Sequence, residues 1–68
     1  MSKYAYVVKG SEDGVIAVAG SMKVAIEIAK KYVIDGGNEI EKEYAVSKHF
    51  YKVNGGWLEA EIERYILE

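Results

Sequence analysis

The sequence predicts an α+β fold, in which a four-stranded antiparallel sheet (β-β-α-β-β) carries one amphipathic helix on one face. All seven glycines fall at four places, around residues 10–14, 20, 36–37 and 55–56. Glycine tolerates the positive φ of turns and helix ends, so these clusters indicate element boundaries. The apolar residues change from a period of two to a helical period and back between the clusters. We therefore expect residues 1–68 to form a single small domain.

The first two strands are predicted to form a hairpin. Residues 3–9 (KYAYVVK) and 15–19 (VIAVA) are rich in the Tyr and Val that favour strands, and the polar turn SEDG separates them. In the first strand, both alternating sets of side chains are largely apolar. This pattern indicates a strand inside the sheet, or one whose outer face meets another surface.

A helix is predicted from Met22 to Asp35. Ser21 is a suitable N-cap, because its hydroxyl can accept a hydrogen bond from an unpaired backbone N–H of the first turn. An apolar stripe follows at helical spacing: Ala25, Ile28, Ala29, Tyr32 and Val33. The alanines let the helix lie close to a sheet, and Gly36-Gly37 supply the left-handed backbone that commonly ends a helix.

The second half of the chain leaves more than one interpretation open. Residues 38–43 have the spacing of a capping box, which allows a short helical turn. Residues 44–53 alternate as one strand, and Asn54-Gly55-Gly56 is a strong hairpin signal. Residues 57–67 fit a strand or, on the spacing of their apolar side chains, a helix.

We favour the strand for residues 57–67, because a two-residue loop at Gly55-Gly56 gives a consistent register. It sets Lys52 opposite Glu59 and Lys48 opposite Glu63, and cross-strand pairs of opposite charge stabilise a hairpin. It also places apolar side chains of both strands on one face, which specifies the register. These residues are Ala45, Tyr51, Val53, Leu58, Ala60, Ile62 and Ile66.

In this register several aromatic residues emerge on the sheet face opposite the helix. The apolar residues of that face are Tyr44, Val46, Phe50, Trp57, Tyr65 and Leu67, and its charged residues are Lys48, Lys52, Glu59, Glu61 and Glu63. A large exposed apolar patch usually marks an interaction surface, and Trp and Tyr often dominate interface energies. The predicted binding residues are therefore Tyr44, Phe50, Trp57 and Tyr65 as anchors, with Lys48, Lys52, Glu59 and Glu63 beside them.

Two other uses of this face remain open. One alternative is that the face forms the contact of a homodimer, which would help so short a chain to bury enough surface. The other alternative is that the face binds single-stranded nucleic acid. The nucleic-acid alternative is less favoured, since the net charge is −2 and three glutamates share the face.

Composition argues against catalysis and against bound metals or cofactors. The chain has no cysteine and a single histidine, His49, and its glycine clusters lack the spacing of a phosphate-binding loop. Ser47 and His49, with Glu61 or Glu63, have the residue types of a catalytic triad. However, neighbouring side chains on one face of a strand lie about 7 Å apart, too far for a nucleophile and its base. We expect a protein that is not an enzyme.

Four segments, KYAYVVKG, GVIAVAGS, KVAIEIAKKYV and AEIERYILE, resemble a recurring type of small phage and mobile-element protein. In that type a hairpin is followed by a Ser-capped helix and a strand of alternating Glu and apolar residues. Residues 38–56 depart from the shorter members by adding what looks like a further strand. The resemblance implies a protein that binds and inhibits a host protein. With neither a signal peptide nor a long apolar run in the sequence, we expect it to be cytoplasmic.

Overall fold

The computed structural model describes residues 3–67, which form a helix packed on one face of a five-stranded antiparallel sheet. The elements are β1 (Tyr4–Gly10), β2 (Gly14–Ala19), α1 (Met22–Asp35), β3 (Lys42–Ser47), β4 (Phe50–Gly55) and β5 (Leu58–Ile66). Across the sheet the strands lie in the order β2-β1-β5-β4-β3. The predicted α+β class, first hairpin and helix bounds are confirmed. β1 is an internal strand, as its two apolar sets of side chains indicate.

The prediction of four strands is wrong, because residues 44–53 do not form one strand. The chain reverses at Lys48-His49, where Ser47 Oγ accepts a hydrogen bond from the backbone N–H of His49 at 3.0 Å. The serine hydroxyl thereby closes a turn that contains no glycine or proline. β3 begins at Lys42 and residues 38–41 are irregular, so the helical turn considered for residues 38–43 is not formed.

The turn between β4 and β5 lies at Gly56-Trp57, one residue later than predicted. Gly56 has the positive φ of 57°, whereas Gly55 ends β4 and pairs with Leu58. Lys52 is consequently opposite Glu61 and not Glu59. The partner of Glu63 is Phe50 and not Lys48, which lies in the turn after β3. Because the pairing moves by two residues, strand side chains keep their predicted faces. Trp57, however, leaves the sheet face for the turn.

The core lies between α1 and the inner face of the sheet. Within residues 3–67 it contains nine buried side chains, of which four are alanines and none is aromatic. These are Val8, Ala19, Ala25, Ala29, Val33, Val53, Leu58, Ala60 and Ile62. Ala25, Ala29 and Val33 belong to the predicted helix stripe, and Ile28 and Tyr32 pack against the core from its margin. The small side chains allow close packing, but they make the core small.

Both predicted helix caps are confirmed. Ser21 Oγ accepts a hydrogen bond from the N–H of Val24 at 3.2 Å. At the other end Gly37 has a φ of 89°. The N–H of Asn38 donates to the carbonyl of Val33 at 3.4 Å, and the N–H of Gly37 donates to that of Ile34 at 2.9 Å. This pair of bonds is a Schellman motif, which directs the chain back towards the sheet.

The end of α1 lies so close to β4 that only glycine fits at position 55. A Cβ on Gly55 would collide with the carbonyl oxygen of Glu39 and with Cγ1 of Val33. The backbone oxygen cannot move aside as a side chain can. Gly55 is therefore required by packing, and the turn glycine is Gly56.

We expect Gly55→Ala to destabilise the fold by about 1–3 kcal/mol, the usual range for overpacking a core. Gly20→Ala is the matched control, because a Cβ there meets nothing within 4 Å and Gly20 does not have a positive φ. That substitution should leave stability unchanged or raise it by up to about 1 kcal/mol, through the unfolded chain. Urea unfolding followed by circular dichroism measures both. Equal effects at the two positions would contradict the packing argument.

Candidate interaction surface

The outer face of the sheet is the face opposite α1. Side chains alternate between the two faces along each strand. Val8 of β1, Val53 of β4 and Ile62 of β5 are fully buried and point inward, so their neighbours in each strand point outward. The register then places outward side chains of neighbouring strands side by side. The outward residues are Val15 and Val18 on β2, Ala5, Val7 and Lys9 on β1, and Glu59, Glu61, Glu63 and Tyr65 on β5. They continue with Phe50, Lys52 and Asn54 on β4 and with Lys42 and Tyr44 on β3.

A charged ladder occupies the middle of this face. Lys9 Nζ lies 3.0 Å from Glu63 Oε1, and Lys52 Nζ lies 3.3 Å from Glu59 and 3.6 Å from Glu61. The hydrogen bond from Lys52 to Glu59 raises the pKa of that lysine, and the one from Lys9 to Glu63 does the same for Lys9. Water and salt screen such partly exposed pairs, so each contributes little to the stability of the fold. The ladder keeps this part of the face hydrated and supports the register of β1, β5 and β4.

Beside the ladder lies an apolar patch, which we call the valine patch: Ala5, Val7, Val15, Val18 and Tyr65. Val7 pairs with Val18 across β1 and β2, and Ala5 pairs with Tyr65 across β1 and β5. Val15, Val18 and Tyr65 are 58%, 63% and 46% exposed. Exposed apolar side chains that are neighbours in space, and not scattered singly, are typical of interaction surfaces.

The structure separates the residues that the sequence predicts to be anchors. Tyr65 belongs to the valine patch, whereas Phe50 and Tyr44 lie on β4 and β3, and the glutamates of β5 separate them from the outward side chains of β1. There Lys42 Nζ lies 5.2 Å from the centre of the Tyr44 ring and Lys52 Nζ lies 6.0 Å from that of Phe50. Trp57 is 66% exposed in the β4–β5 turn. Eight residues of strand place it about 26 Å from Tyr65.

Among the predicted charged residues, Lys52 and Glu59 are brought together, and Glu63 joins them in the ladder. Lys48 lies in the turn before β4 and is not part of the ladder. The sequence analysis missed Val7, Val15 and Val18, although it contained the signal that could have found them. Two apolar sets in one strand require a second covering surface, and the outward set of β1 lies beside the outward valines of β2.

On the inner face, a polar cluster lies where Arg64 meets the turn after β3. The Arg64 guanidinium carbon is 4.0 Å from the centre of the Tyr4 ring, and Nη2 is 2.8 Å from Nδ1 of His49. The N–H of Arg64 also donates to the carbonyl of His49 at 2.8 Å. Ser47 Oγ is engaged by the His49 N–H, so serine and histidine are both held by partners that stabilise the turn.

A further inner-face contact ties the exposed strand β3 to the rest of the fold. Tyr51 Oη donates a hydrogen bond to Glu43 Oε1 at 2.7 Å, and Lys30 Nζ of α1 lies 3.3 Å from the same oxygen. The hydrogen bond to Glu43 raises the pKa of Tyr51 to about 12. The same hydrogen bond, supported by Lys30, lowers the pKa of Glu43.

The described residues offer little space for a small ligand. A pocket of about 230 Å³ opens beside the β1–β2 turn, lined by Lys9, Gly10, Ser11, Gly14, Glu59 and Glu61. It is smaller than the roughly 300 Å³ at which ligand pockets begin. Within residues 3–67, no three His, Asp or Glu side chains are grouped so that they could hold a metal ion. None of the helical structure in that range is long and apolar enough to cross a membrane.

No family model matches the chain, and no curated protein or solved structure is significantly similar to it. The resemblance to small phage proteins stays a prediction from the sequence.

The Tyr51–Glu43 hydrogen bond predicts a pH-dependent cost for Tyr51→Phe. Because the pKa of Glu43 is lowered on folding, its contribution is present above pH 4.5 and is lost as the pH falls through the folded value. Because the pKa of Tyr51 is raised, its contribution is present below pH 10 and is lost as the pH rises towards 12. We expect Tyr51→Phe to cost about 0.5–1 kcal/mol at pH 7 and less at pH 3.

Urea unfolding at the two pH values measures this cost, and Tyr44→Phe, at an exposed ring on β3, is the control. Alkaline difference spectra should also lose one tyrosine that ionises near pH 12 in the Tyr51→Phe variant. A cost that is the same at both pH values would contradict a hydrogen bond that depends on the charge of the Glu43 carboxylate.

Proposed function

We propose that this chain is a small, non-enzymatic protein-binding module that acts by occupying a surface of another protein with the outer face of its sheet. The observation that carries the proposal is the valine patch. Val15, Val18 and Tyr65 are each about half exposed. Val18 lies opposite Val7 and Tyr65 lies opposite Ala5, and Val15 faces outward on the same strand as Val18. Covering such a patch removes apolar area from water, which is the main favourable term in protein association.

The charged ladder, which lies beside the valine patch, supports the same function. Apolar interface centres are usually surrounded by polar rims, and rim charges set orientation and association rate more than affinity. Lys9 follows Val7 on the same face of β1 and Glu63 lies opposite Val7 on β5, so a partner seated on the patch meets charges of both signs at its edge.

The arrangement of polar groups supports binding rather than catalysis. Ser47 and His49 are engaged in the turn after β3, and Glu59, Glu61 and Glu63 are paired with lysines. The row of glutamates on β5 also disfavours the phosphates of a nucleic acid. The resemblance to small phage proteins supports a host protein as the partner and the host cytoplasm as the place of action.

The test compares single variants at apolar positions of comparable exposure. Tyr65→Ser and Val18→Ser change the valine patch, Ile34→Ser changes an equally exposed position on α1, and Trp57→Ser changes the β4–β5 turn. Each tagged protein is used to capture partners from a candidate bacterial host lysate, with quantification by mass spectrometry. The protein captured most strongly by the wild-type chain is then purified, and its affinity for each variant is measured by calorimetry.

We expect both patch variants to weaken that affinity at least tenfold, about 1.4 kcal/mol, and the Ile34 and Trp57 variants to retain it. Circular dichroism must show that all four variants stay folded. Loss of binding in Trp57→Ser with retention in the patch variants would place the binding surface at the turn. Equal capture by all four variants would contradict a specific function of the outer face.

A further inference from the structure

We propose that β2 pairs, antiparallel and edge to edge, with β2 of a second copy of this chain, so that two sheets join into one of ten strands. The inference goes beyond the proposed function without resting on it, because edge pairing leaves the outer faces uncovered. The two valine patches would then lie side by side on the same surface.

The edge formed by β2 lacks the usual protection against strand pairing. Edge strands in proteins that stay monomeric commonly carry charged residues or proline. Residues 14–22 (GVIAVAGSM), which include all of β2, contain neither. Val15 and Val18 are among its exposed side chains.

The opposite edge of the sheet is protected. β3 begins with Lys42 and Glu43, and Glu41 and Lys48 flank it. All six residues of β3 are exposed. Charges at this edge disfavour the addition of a further strand, so the two edges of one sheet differ in chemistry.

The geometry of β2 favours the self-complementary register that pairs all six of its residues. Ile16 is an extra residue in β2, since Ala17 pairs with Val8 but Val15 pairs with Lys9. Because of this bulge, Val15 and Val18 both face outward although three positions separate them. A two-fold axis between Ile16 and Ala17 sets Val15 of each copy opposite Val18 of the other. A shift of one residue instead sets Val15 against Ala17 or Ala19, which face the helix.

A second copy fits this edge for two further reasons. The edge is uncharged, so a two-fold axis brings no like charges together. The nine-residue core contains four alanines and no aromatic side chain, so the chain has stability to gain from association. Pairing two outer faces over β5 is disfavoured, because it would set Glu59, Glu61 and Glu63 against the same row of the second copy.

Cysteine cross-linking tests the register, since the chain has no natural cysteine. In the proposed dimer, Val15→Cys of one copy lies opposite Val18→Cys of the other, within reach of a disulfide. Two copies of the same single variant place their thiols about 10 Å apart along the strands, beyond that reach. After mild oxidation, an equimolar mixture of the two variants should form a covalent dimer, and each variant alone should not. Cross-linking of either single variant at equal yield would overturn the register.

Sedimentation equilibrium over a concentration series tests the edge itself. Val18→Lys should weaken dimerisation at least tenfold, whereas Val46→Lys on β3, at a position of similar exposure, should not change it. A wild-type chain that stays monomeric at millimolar concentration would overturn the proposal, as would a dimer that Val18→Lys leaves intact. Circular dichroism checks that both variants are folded.

Tyr65→Ser separates this inference from the proposed function. Tyr65 lies on β5, two strands from the β2 edge, so the substitution should leave the dimer unchanged while it weakens partner binding. A dimer whose partner binding is insensitive to Tyr65→Ser would refute the proposed function alone. Partner binding that requires Tyr65, in a chain that does not dimerise, would refute the edge pairing alone.

Discussion

The close approach of the end of α1 to the β4–β5 hairpin constrains the rest of this structure. Val33 and the backbone of Glu39 lie directly over Gly55, so this position in the strand admits no side chain. With Gly55 held in β4, the turn moves to Gly56-Trp57 and the pairing of β4 with β5 shifts by two residues. This register places Lys52 opposite Glu61 and Phe50 opposite Glu63, and it removes Trp57 from the sheet face.

The elements that sequence reasoning predicted well are those whose signals are local. The helix bounds follow from an apolar stripe, a serine cap and a glycine pair, and each of these acts within a few residues. The turn at Lys48-His49 could not be predicted in the same way, because its sequence contains no turn former except Ser47. It depends on the Ser47 hydroxyl and on the hydrogen bond that the Arg64 N–H donates to His49, which comes from a distant strand.

The sequence predicts which side chains point to the outer face, but it does not predict which of them lie next to each other. Strand parity correctly assigned Phe50, Lys52 and Tyr65 outward, since a two-residue shift preserves the face of each side chain. Which of them touch depends on the strand order, in which β5 is inserted between β1 and β4. That insertion places Tyr65 opposite Ala5 and places Glu63 between Val7 and Phe50. Strand order arises from the whole fold, and no local pattern in this chain encodes it.

The sheet divides its two requirements, hydration and association, between its two halves. Most of the ladder lies on β5 and β4, and β3 forms the charged edge, whereas most of the valine patch lies on β1 and β2, and β2 forms the uncharged edge. An assembly through β2 therefore closes at two copies, because an isologous contact uses up the β2 edge and the remaining β3 edges repel a further strand. The same asymmetry that makes β2 available for pairing thus prevents the open-ended sheet growth that two uncharged edges would permit.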